Sequence, residues 1–317
     1  MKIGVLDYHA LGDDVDIDIL SDFGELEVYK NLSRAEILEK CEDKDIVVIN
    51  KVKIDKEFID RAKRLKMVAV AATGYNVVDV EYAAEKGIKV YNVSGYSTDA
   101  VVQHTFAMTL SMLCHLSELN RYVKSGEYSK STNMTRLDLY IGLLSNMKWG
   151  IIGLGDIGKG VAKAAEAFGA EVVYNSPQKE DVDYKRLELD ELLKESDIVS
   201  IHCPLTPETR NLIKYRELEL MKPNAILVNV ARGGIIDEDD LYRALKEELI
   251  FGACLDVFSK EPIDKENKLL TLGDDKILMT PHTAWASADA RNLLMEGVYE
   301  NIKSFLENGD RKPVNDI

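Results

Sequence analysis

The stretch WGIIGLGDIGKGVAKAAEAFGAEVVYN, residues 149–175, decides the fold of this 317-residue chain. It begins as a short apolar run typical of a buried strand, passes three glycines and continues with apolar residues at helical spacing. Gly153, Gly155 and Gly158 follow the G-x-G-x-x-G pattern in its required place between strand and helix. Such glycines permit a tight turn, a close approach of a pyrophosphate, and close packing of helix on strand. The pattern predicts a dinucleotide-binding βαβ unit that starts near the middle of the chain.

Asn175 stands at the end of the second strand of this unit, where an aspartate usually accepts hydrogen bonds from the adenosine ribose. Asparagine can still accept one such bond, but it lacks the negative charge that repels a 2′-phosphate. Lys179 follows four residues later, whereas no arginine is there to bind a phosphate with two parallel hydrogen bonds. The sequence therefore favours NAD(H) as the cofactor and leaves NADP(H) possible.

Short apolar runs alternate with helix-compatible segments on both sides of residue 149. KIGVL, DIVVIN and MVAVAA precede it, and DIVSIHC, AILVNV and KILMTPH follow it. This alternation predicts an α/β fold with two doubly wound parallel sheets. One long apolar-rich helix is expected over 98–126, between the two series, and a final helix is expected from Ser287 to the Asn308-Gly309 pair.

The composition excludes several classes of function. A formal net charge of −15 repels nucleic acids and anionic membranes, and no apolar run approaches the roughly 18 residues of a membrane span. The four cysteines show no metal-ligand spacing, so no metal site is expected. The opening MKIGVLDYHALGDD lacks the layout of a signal peptide, which predicts a cytoplasmic protein.

Four further segments carry a family resemblance. They are AATGYNVVD (71–79), NVARGGIIDEDDL (229–241), CLDVFSKEP (254–262) and PHTAWAS (281–287). Together with the glycine turn, they resemble the D-isomer-specific 2-hydroxyacid dehydrogenases over nearly the whole chain. GYSTDAVVQHTFAM, NKVKID and the tryptophan of PHTAWAS look most like the glycerate dehydrogenase, or hydroxypyruvate reductase, branch of that family.

The resemblance explains why the glycine turn lies so far from the N-terminus. In this family a Rossmann cofactor domain is inserted into a flavodoxin-like substrate domain. The resemblance therefore implies an NAD-binding domain over 98–286 and a substrate domain over 1–97 and 287–317. It also implies a homodimer, for which the 98–126 helix region would supply the interface.

Three residues are implied to carry the chemistry. His282, after the strand-like KILMTP, is the candidate general acid, because an imidazole gives and recovers a proton near neutrality. Glu261 is implied to orient His282 and to favour its protonated form. Arg232 offers a planar guanidinium suited to a carboxylate and an adjacent carbonyl oxygen.

Further residues are implied to bind substrate or cofactor. Gly74, with Thr73, fits the loop whose backbone N–H groups receive the substrate carboxylate. Lys51 lies in a loop expected to face the far end of the substrate, and a solvated surface lysine is the alternative interpretation. His104, His115 and His202 are interpreted as structural. The residues implied to contact the dinucleotide are Gly153, Gly155, Asp156, Ile157, Gly158, Asn175, Pro204, Thr209, Val230, Arg232, Asp256 and His282.

The sequence thus predicts an NAD(P)H-dependent oxidoreductase that reduces a short 2-oxo acid, hydroxypyruvate or glyoxylate, to the D-2-hydroxy acid or glycolate. Two alternatives within the family are phosphoglycerate dehydrogenase and D-lactate dehydrogenase. A third alternative is a dinucleotide-sensing, corepressor-like protein that keeps the same three residues without turnover.

Overall fold

A computed structural model describes residues 1–315. They divide into two compact units, Met1–Ser97 together with the segment from Ala286 onward, and Thr98–Trp285. The predicted substrate domain extends to residue 317, and its residues 316 and 317 lie outside the described part of the chain. The first unit is therefore assembled from both ends of the chain, and the second unit from the segment between them.

A five-stranded parallel sheet forms the centre of the first unit, with the order β2-β1-β3-β4-β5. The central strand β3 and its neighbour β4 are buried along their whole length, as expected of strands covered on both faces. This order is that of flavodoxin-like sheets, so the predicted flavodoxin-like fold is confirmed. The strands are β1 (Lys2–Val5), β2 (Glu25–Val28), β3 (Ile46–Ile49), β4 (Met67–Val70) and β5 (Lys89–Asn92).

A seven-stranded parallel sheet forms the second unit, with the order β12-β11-β10-β9-β6-β7-β8. The chain order reverses between β6 and β9, which is the arrangement of a Rossmann sheet, and the predicted Rossmann fold is confirmed. Ligands of such sheets bind at the carboxyl ends of the strands, beside this reversal. The strands are β6 (Lys148–Ile152), β7 (Glu171–Asn175), β8 (Lys185–Arg186), β9 (Ile198–Ile201), β10 (Ile226–Asn229), β11 (Gly252–Leu255) and β12 (Ile277–Met279).

Helices cover the sheets, and several begin at side chains that cap them. Ser33 and Glu36 form a reciprocal capping box, and the carboxylates of Asp55 and Asp79 each accept an N–H of the next helix. Among the described residues, no helix combines the length and apolar character that a membrane span requires. The helices are α1 (Arg34–Lys40), α2 (Lys56–Arg61), α3 (Val80–Glu85), α4 (Thr98–Leu113), α5 (Leu116–Lys124), α6 (Glu127–Lys130), α7 (Asp156–Ala167), α8 (Leu189–Glu195), α9 (Tyr215–Leu220), α10 (Glu238–Lys246) and α11 (Ala288–Glu307). Short 3₁₀ helices span Tyr8–Ala10, Asp18–Phe23, Leu144–Asn146 and Lys268–Thr271.

The prediction of one continuous helix over 98–126 was wrong. The chain breaks at His115, whose φ of 52° is left-handed and cannot continue a right-handed helix. The apolar α4 buries residues such as Phe106 and Met108 in the Rossmann unit, whereas α5 has no buried residue. The break therefore separates a core helix from a surface helix.

The last helix, α11, has the predicted ends. The Ser287 hydroxyl accepts the Ala290 N–H at 3.2 Å, and Asn308 ends the helix with a left-handed φ of 52°. Gly297 allows the helix to pack closely, because a Cβ there would lie 2.4 Å from Cγ1 of Val93. The helix thereby completes the core of the first unit.

Candidate active site

The glycine turn between β6 and α7 shows why each glycine is needed. Gly153 has a φ of +91°, and a Cβ on it would lie 2.6 Å from the Cys203 backbone nitrogen. A Cβ on Gly158 would lie 2.2 Å from the Gly153 carbonyl oxygen, so this glycine brings α7 against the turn. A Cβ on Gly155, by contrast, would meet no atom within 4 Å. The first and third glycines thus close the turn, whereas the second keeps an open approach to the backbone.

That open approach fits a dinucleotide pyrophosphate. Gly155 precedes α7, whose first residues Asp156 and Ile157 present N–H groups without partners inside the helix. The positive end of the helix dipole lies at the same place and favours a phosphate. The residues around this turn therefore suit the cofactor that the sequence implies.

The carboxyl end of β7 carries Asn175, whose Nδ2 donates to the Leu187 carbonyl at 2.9 Å. The side-chain amide is thereby oriented, and its oxygen is the acceptor left for a ribose hydroxyl. Arg186 of β8 donates from Nε to the carbonyl of Ser176, the residue after Asn175, at 2.9 Å. Sequence reasoning missed this arginine because it lies on the neighbouring strand, ten residues after the serine whose carbonyl it binds.

The loop after β9 carries the predicted residues Pro204 and Thr209. The Thr209 hydroxyl donates to the Pro204 carbonyl at 2.6 Å and accepts the Thr206 N–H at 2.7 Å, so it shapes the loop from within. His202, at the start of the loop, lies 3.0 Å from the Ser200 hydroxyl through Nε2. Burial lowers the pKa of His202 to about 3, which keeps its imidazole neutral at physiological pH.

Arg232 lies in the turn after β10, next to the buried Val230. The side chain of Asn229 braces this turn, because its Nδ2 donates to the Arg232 carbonyl at 2.9 Å and its Oδ1 accepts the Ala231 N–H at 3.0 Å. Gly233 follows, and a Cβ on it would lie 1.8 Å from the Phe258 carbonyl oxygen. The arginine turn is therefore pressed against the segment that leads to Glu261.

Glu261 and His282 form a hydrogen-bonded pair. Oε2 of the glutamate lies 2.6 Å from Nδ1 of the imidazole, and its Oε1 accepts the Phe258 N–H at 3.0 Å. The His282 side chain is 26% exposed, and its backbone has a left-handed φ of 54°. Because Glu261 occupies Nδ1, Nε2 is the ring nitrogen through which His282 can exchange a proton with a substrate.

Asp256, at the carboxyl end of β11, is fully buried and binds the segment that contains His282. Its carboxylate accepts N–H groups from Thr283 at 2.8 Å and Ala284 at 2.9 Å, and the hydroxyl of Thr280 at 2.6 Å. Its backbone carbonyl accepts the His282 N–H at 2.8 Å. The buried charge of Asp256 is thus stabilised by donors on both sides of His282.

In the flavodoxin-like unit, Lys51 is exposed in the loop after β3. The carboxylate of Asp7, at the end of β1, accepts the backbone N–H groups of Asn50, Lys51 and Val52 at 2.9, 2.5 and 3.1 Å. Burial raises the pKa of Asp7 although these three donors oppose the shift. Asp7 therefore fixes the backbone of the loop while the Lys51 side chain projects outward.

The loop with Thr73 and Gly74 follows β4 and is also held by polar side chains. Nδ2 of the buried Asn50 donates to the Ala71 carbonyl at 2.6 Å, and Nδ2 of Asn92 donates to the Thr73 carbonyl at 2.7 Å. The structure thus gathers the two predicted substrate loops at the carboxyl edge of the five-stranded sheet. Neither asparagine was singled out from the sequence.

In the Rossmann unit, the structure groups the predicted Arg232, Glu261 and His282 at one edge of the sheet, through the Gly233–Phe258 approach and the Glu261–His282 bond. Sequence reasoning missed Asn229 and Arg186, both of which bind backbone atoms next to predicted residues. The asparagine lies in a quoted segment, NVARGG, and its position directly after a buried strand was the one available signal.

Comparison with known proteins places these features in a family. Residues 106–284 match the family model described as the NAD-binding domain of D-isomer-specific 2-hydroxyacid dehydrogenases. The chain is 37% identical to a hydroxypyruvate reductase of Blautia hydrogenotrophica, over 99% of this chain and 100% of the relative. It is 38% identical to a glyoxylate reductase of Thermococcus litoralis, over 91% of this chain and 89% of the relative.

Solved structures agree with these relatives. The TT0316 protein of Thermus thermophilus superposes with a TM-score of 0.90 at 34% identity, covering 99% of this chain and 100% of that protein. The D-lactate dehydrogenase of Aquifex aeolicus, complexed with NAD and lactic acid, gives a TM-score of 0.83 at 27% identity, covering 97% and 96%. An NADPH-dependent glyoxylate/hydroxypyruvate reductase of Sinorhizobium meliloti, complexed with NADP and malonate, gives 0.83 at 26% identity, covering 99% and 96%. The chain belongs to the D-isomer-specific 2-hydroxyacid dehydrogenases, the nicotinamide-dependent oxidoreductases that act on the CH–OH group of 2-hydroxy acids.

Proposed function

We propose that this protein reduces a short 2-oxo acid, hydroxypyruvate or glyoxylate, to the D-2-hydroxy acid or to glycolate. The observation that carries the proposal is the 2.6 Å pair of Glu261 Oε2 and His282 Nδ1 beside the Arg232 turn. Such a pair leaves an acidic proton on Nε2, and the neighbouring turn carries Arg232, a cation suited to a carboxylate. The names of the two relatives, a hydroxypyruvate reductase and a glyoxylate reductase, support the choice of acid.

Each residue has a defined task in the proposed reaction. When bound, the nicotinamide supplies a hydride, which adds to the carbonyl carbon of the acid. His282 gives its Nε2 proton to the carbonyl oxygen, so that a hydroxyl forms and the imidazole later recovers a proton from water. Glu261 stabilises the imidazolium before transfer. Arg232 binds the carboxylate and the carbonyl oxygen and thereby fixes the reacting carbon.

The flavodoxin-like unit supplies the remaining proposed substrate contacts. The backbone N–H groups of Thr73 and Gly74 receive the carboxylate, and Lys51 faces the far end of the acid. The side chains that hold both loops support this assignment, because a loop held by several hydrogen bonds presents its N–H groups without a further ordering cost.

For the cofactor we propose a modest preference for NADH over NADPH. The proposed pyrophosphate contacts are Gly153, Gly155, Asp156, Ile157 and Gly158, and the open side of Gly155 supports them. Asn175 would accept a ribose hydroxyl, while Arg186, bound to the carbonyl of the next residue, would offer a cation to a 2′-phosphate. Pro204, Thr209, Val230 and Asp256 complete the proposed contacts.

A homodimer through the 98–126 region is also proposed, extended to residue 143. The exposed apolar side chains of this region lie in α5, in α6 and in the segment after α6, not in the buried α4. Met134 is 90% exposed and Leu137 is 85% exposed, which is unusual for a surface without a partner. Light scattering at micromolar concentration tests the dimer, and a mass near the monomer value of 35.6 kDa would contradict it. The cytoplasmic location stays a prediction.

The direct test of the function follows NADH absorbance with a panel of 2-oxo acids: hydroxypyruvate, glyoxylate, pyruvate and 3-phosphohydroxypyruvate. We expect the highest kcat/KM with one of the first two, and NADPH is tested in parallel. Highest turnover of pyruvate or of the phosphorylated acid would assign the protein to a different branch. Tight NADH binding without turnover of any acid would reject the enzyme and support a dinucleotide sensor.

A further inference from the structure

A partly buried chain of hydrogen bonds runs from the segment that contains His282 to α4. Nε2 of His104, on α4, lies 3.0 Å from the Thr280 hydroxyl oxygen, and that hydroxyl lies 2.6 Å from Oδ1 of Asp256. Asp256 is fully buried, and the His104 side chain is 23% exposed. All three residues belong to the Rossmann unit, and none of the proposed steps uses His104.

The hydroxyl of Thr280 fixes the direction of this chain. It has one proton, and the buried carboxylate at 2.6 Å is a stronger acceptor than the sulfur of Met108 at 3.8 Å. The hydroxyl oxygen must then accept from His104, so the Nε2 of His104 carries a proton. The chain therefore runs from His104 through Thr280 to Asp256, with each group donating to the next.

Asp256 connects this chain of hydrogen bonds to His282, because it binds backbone N–H groups of His282 and of the two residues that follow it. Its carboxylate holds the N–H groups of Thr283 and Ala284, and its carbonyl holds the N–H of His282. His282 itself has a left-handed φ of 54°, a conformation that costs free energy and persists because the surrounding contacts offset this cost. A carboxylate that lost its orientation would release this turn.

We propose that His104 is a positioning residue for His282, acting through Thr280 and Asp256. The inference rests on the proposed function, in which His282 is the proton donor. His104 keeps the Thr280 hydroxyl directed at Asp256, and Asp256 in turn keeps the His282 turn in its left-handed conformation. His104 does not itself touch the reacting atoms.

The test compares variants that break the chain with variants that preserve it. His104→Leu and Thr280→Val should lower kcat for the 2-oxo acid roughly 10- to 100-fold, because the imidazole of His282 is no longer held in register. His104→Gln keeps an N–H donor and Thr280→Ser keeps the hydroxyl, so both should restore most of kcat. Gln103→Leu, at an exposed neighbouring position of α4, is the matched control and should leave kcat unchanged.

Two measurements separate positioning from general damage. The dissociation constant of NADH should change far less than kcat in all variants, because most of the proposed dinucleotide contacts lie outside this chain of hydrogen bonds. The double variant His104→Leu/Thr280→Val should be no slower than either single variant. Equal loss of kcat in His104→Leu and His104→Gln would overturn the proposal, as would wild-type kcat in His104→Leu.

Nuclear magnetic resonance gives a readout that does not need turnover. The ¹⁵N spectrum should show His104 with its proton on Nε2, and His104→Leu should shift the imidazole resonances of His282. A protein that reduces no 2-oxo acid but shows both signals would reject the proposed function and keep the positioning role. An Nδ1-protonated neutral His104, or unshifted His282 resonances, would reject the positioning role itself.

Discussion

Polar side chains bind loop backbones in both units, and the Rossmann unit adds a contact to a side chain that is proposed to react. In the Rossmann unit, Glu261 binds the imidazole of His282 itself, so the polar contact acts on a side chain that is proposed to react. In the flavodoxin-like unit, the bonds of Asp7 and Asn92 to the loops run to backbone atoms. Under the proposed function, this difference assigns proton transfer to the Rossmann unit and the placing of backbone N–H groups for the acid to the flavodoxin-like unit. Substitutions in the two units should therefore affect kcat and KM differently.

The largest expected effect is in the Rossmann unit. His282→Ala and Arg232→Ala should each lower kcat/KM for the 2-oxo acid, by about 10²- to 10⁴-fold for His282, because they remove groups that act on the reacting carbonyl. Both proteins should remain folded and bind NADH, since most dinucleotide contacts persist. Lys260→Ala, an exposed neighbour of Glu261, serves as the control and should keep full activity. Steady-state kinetics and NADH titration check this, and turnover of His282→Ala within twofold of wild type would remove that residue from the mechanism.

A smaller effect, of the other kind, is expected in the flavodoxin-like unit. Asp7→Asn removes the negative charge and replaces one acceptor oxygen by an NH₂ donor, so that the hydrogen bonds to the three loop N–H groups weaken. We expect KM for the 2-oxo acid to rise roughly tenfold with little change in kcat, because ground-state and transition-state binding weaken together. Asp13→Asn, an exposed aspartate of the same unit, is the control. If Asp7→Asn instead lowers kcat and leaves KM intact, the proposed division of labour between the two units is wrong.

The sequence predicts most of what depends on local pattern. The two parallel sheets follow from the alternation of apolar runs and helical segments. The glycine turn is recognised from its G-x-G-x-x-G pattern, and the structure requires glycine at 153 and 158 because a Cβ there would collide with neighbouring backbone atoms. The site residues Arg232, Glu261 and His282 were identified through motifs, and their roles stay predictions.

What the sequence does not show are bonds between positions far apart along the chain. Asp7 binds residues 43 to 45 positions away, and His104 lies 176 positions from Thr280. No periodicity or spacing encodes these pairs, because they arise when strand ends are gathered at one edge of a sheet. The break of the long helix at His115 was missed for a similar reason, since neither glycine nor proline marks it.

Within the Rossmann unit, the proposed roles of Asn175 and Arg186 in the choice between NADH and NADPH can be tested separately. Asn175→Asp should widen the preference for NADH over NADPH roughly tenfold, because a carboxylate repels a 2′-phosphate and binds the ribose with a charge-assisted hydrogen bond. Arg186→Gln should lower kcat/KM for NADPH and leave that for NADH nearly unchanged, whereas Lys185→Gln on the same short strand should change neither. The ratio of kcat/KM for the two cofactors at fixed ionic strength measures both. An unchanged ratio in Asn175→Asp would mean that this side chain does not face the ribose.

The last expected effect concerns how stability depends on pH, and this dependence has opposite signs in the two units. Burial lowers the pKa of His202 to about 3, so between pH 6.5 and 3 the unfolded chain binds a proton that the native state does not. The contribution of neutral His202 is fully present above pH 6.5 and is lost as the pH falls. Relative to His202→Asn, wild type should therefore lose about 1.4 kcal/mol of unfolding free energy per pH unit below 6.5.

Asp7 should show the reverse dependence, because burial raises its pKa and the native state keeps a proton at a pH where the unfolded chain has released it. As the pH falls through the raised pKa towards the ordinary value of 3.8, wild type should gain stability relative to Asp7→Asn. Urea unfolding of wild type and both variants at pH 7, 6, 5 and 4 measures how the free energy of unfolding depends on pH. Subtracting the value of each variant from that of wild type removes the contribution of the carboxylates that all three proteins share. Slopes of the same sign would show that one of the two groups is more hydrated in the native state than its surroundings indicate.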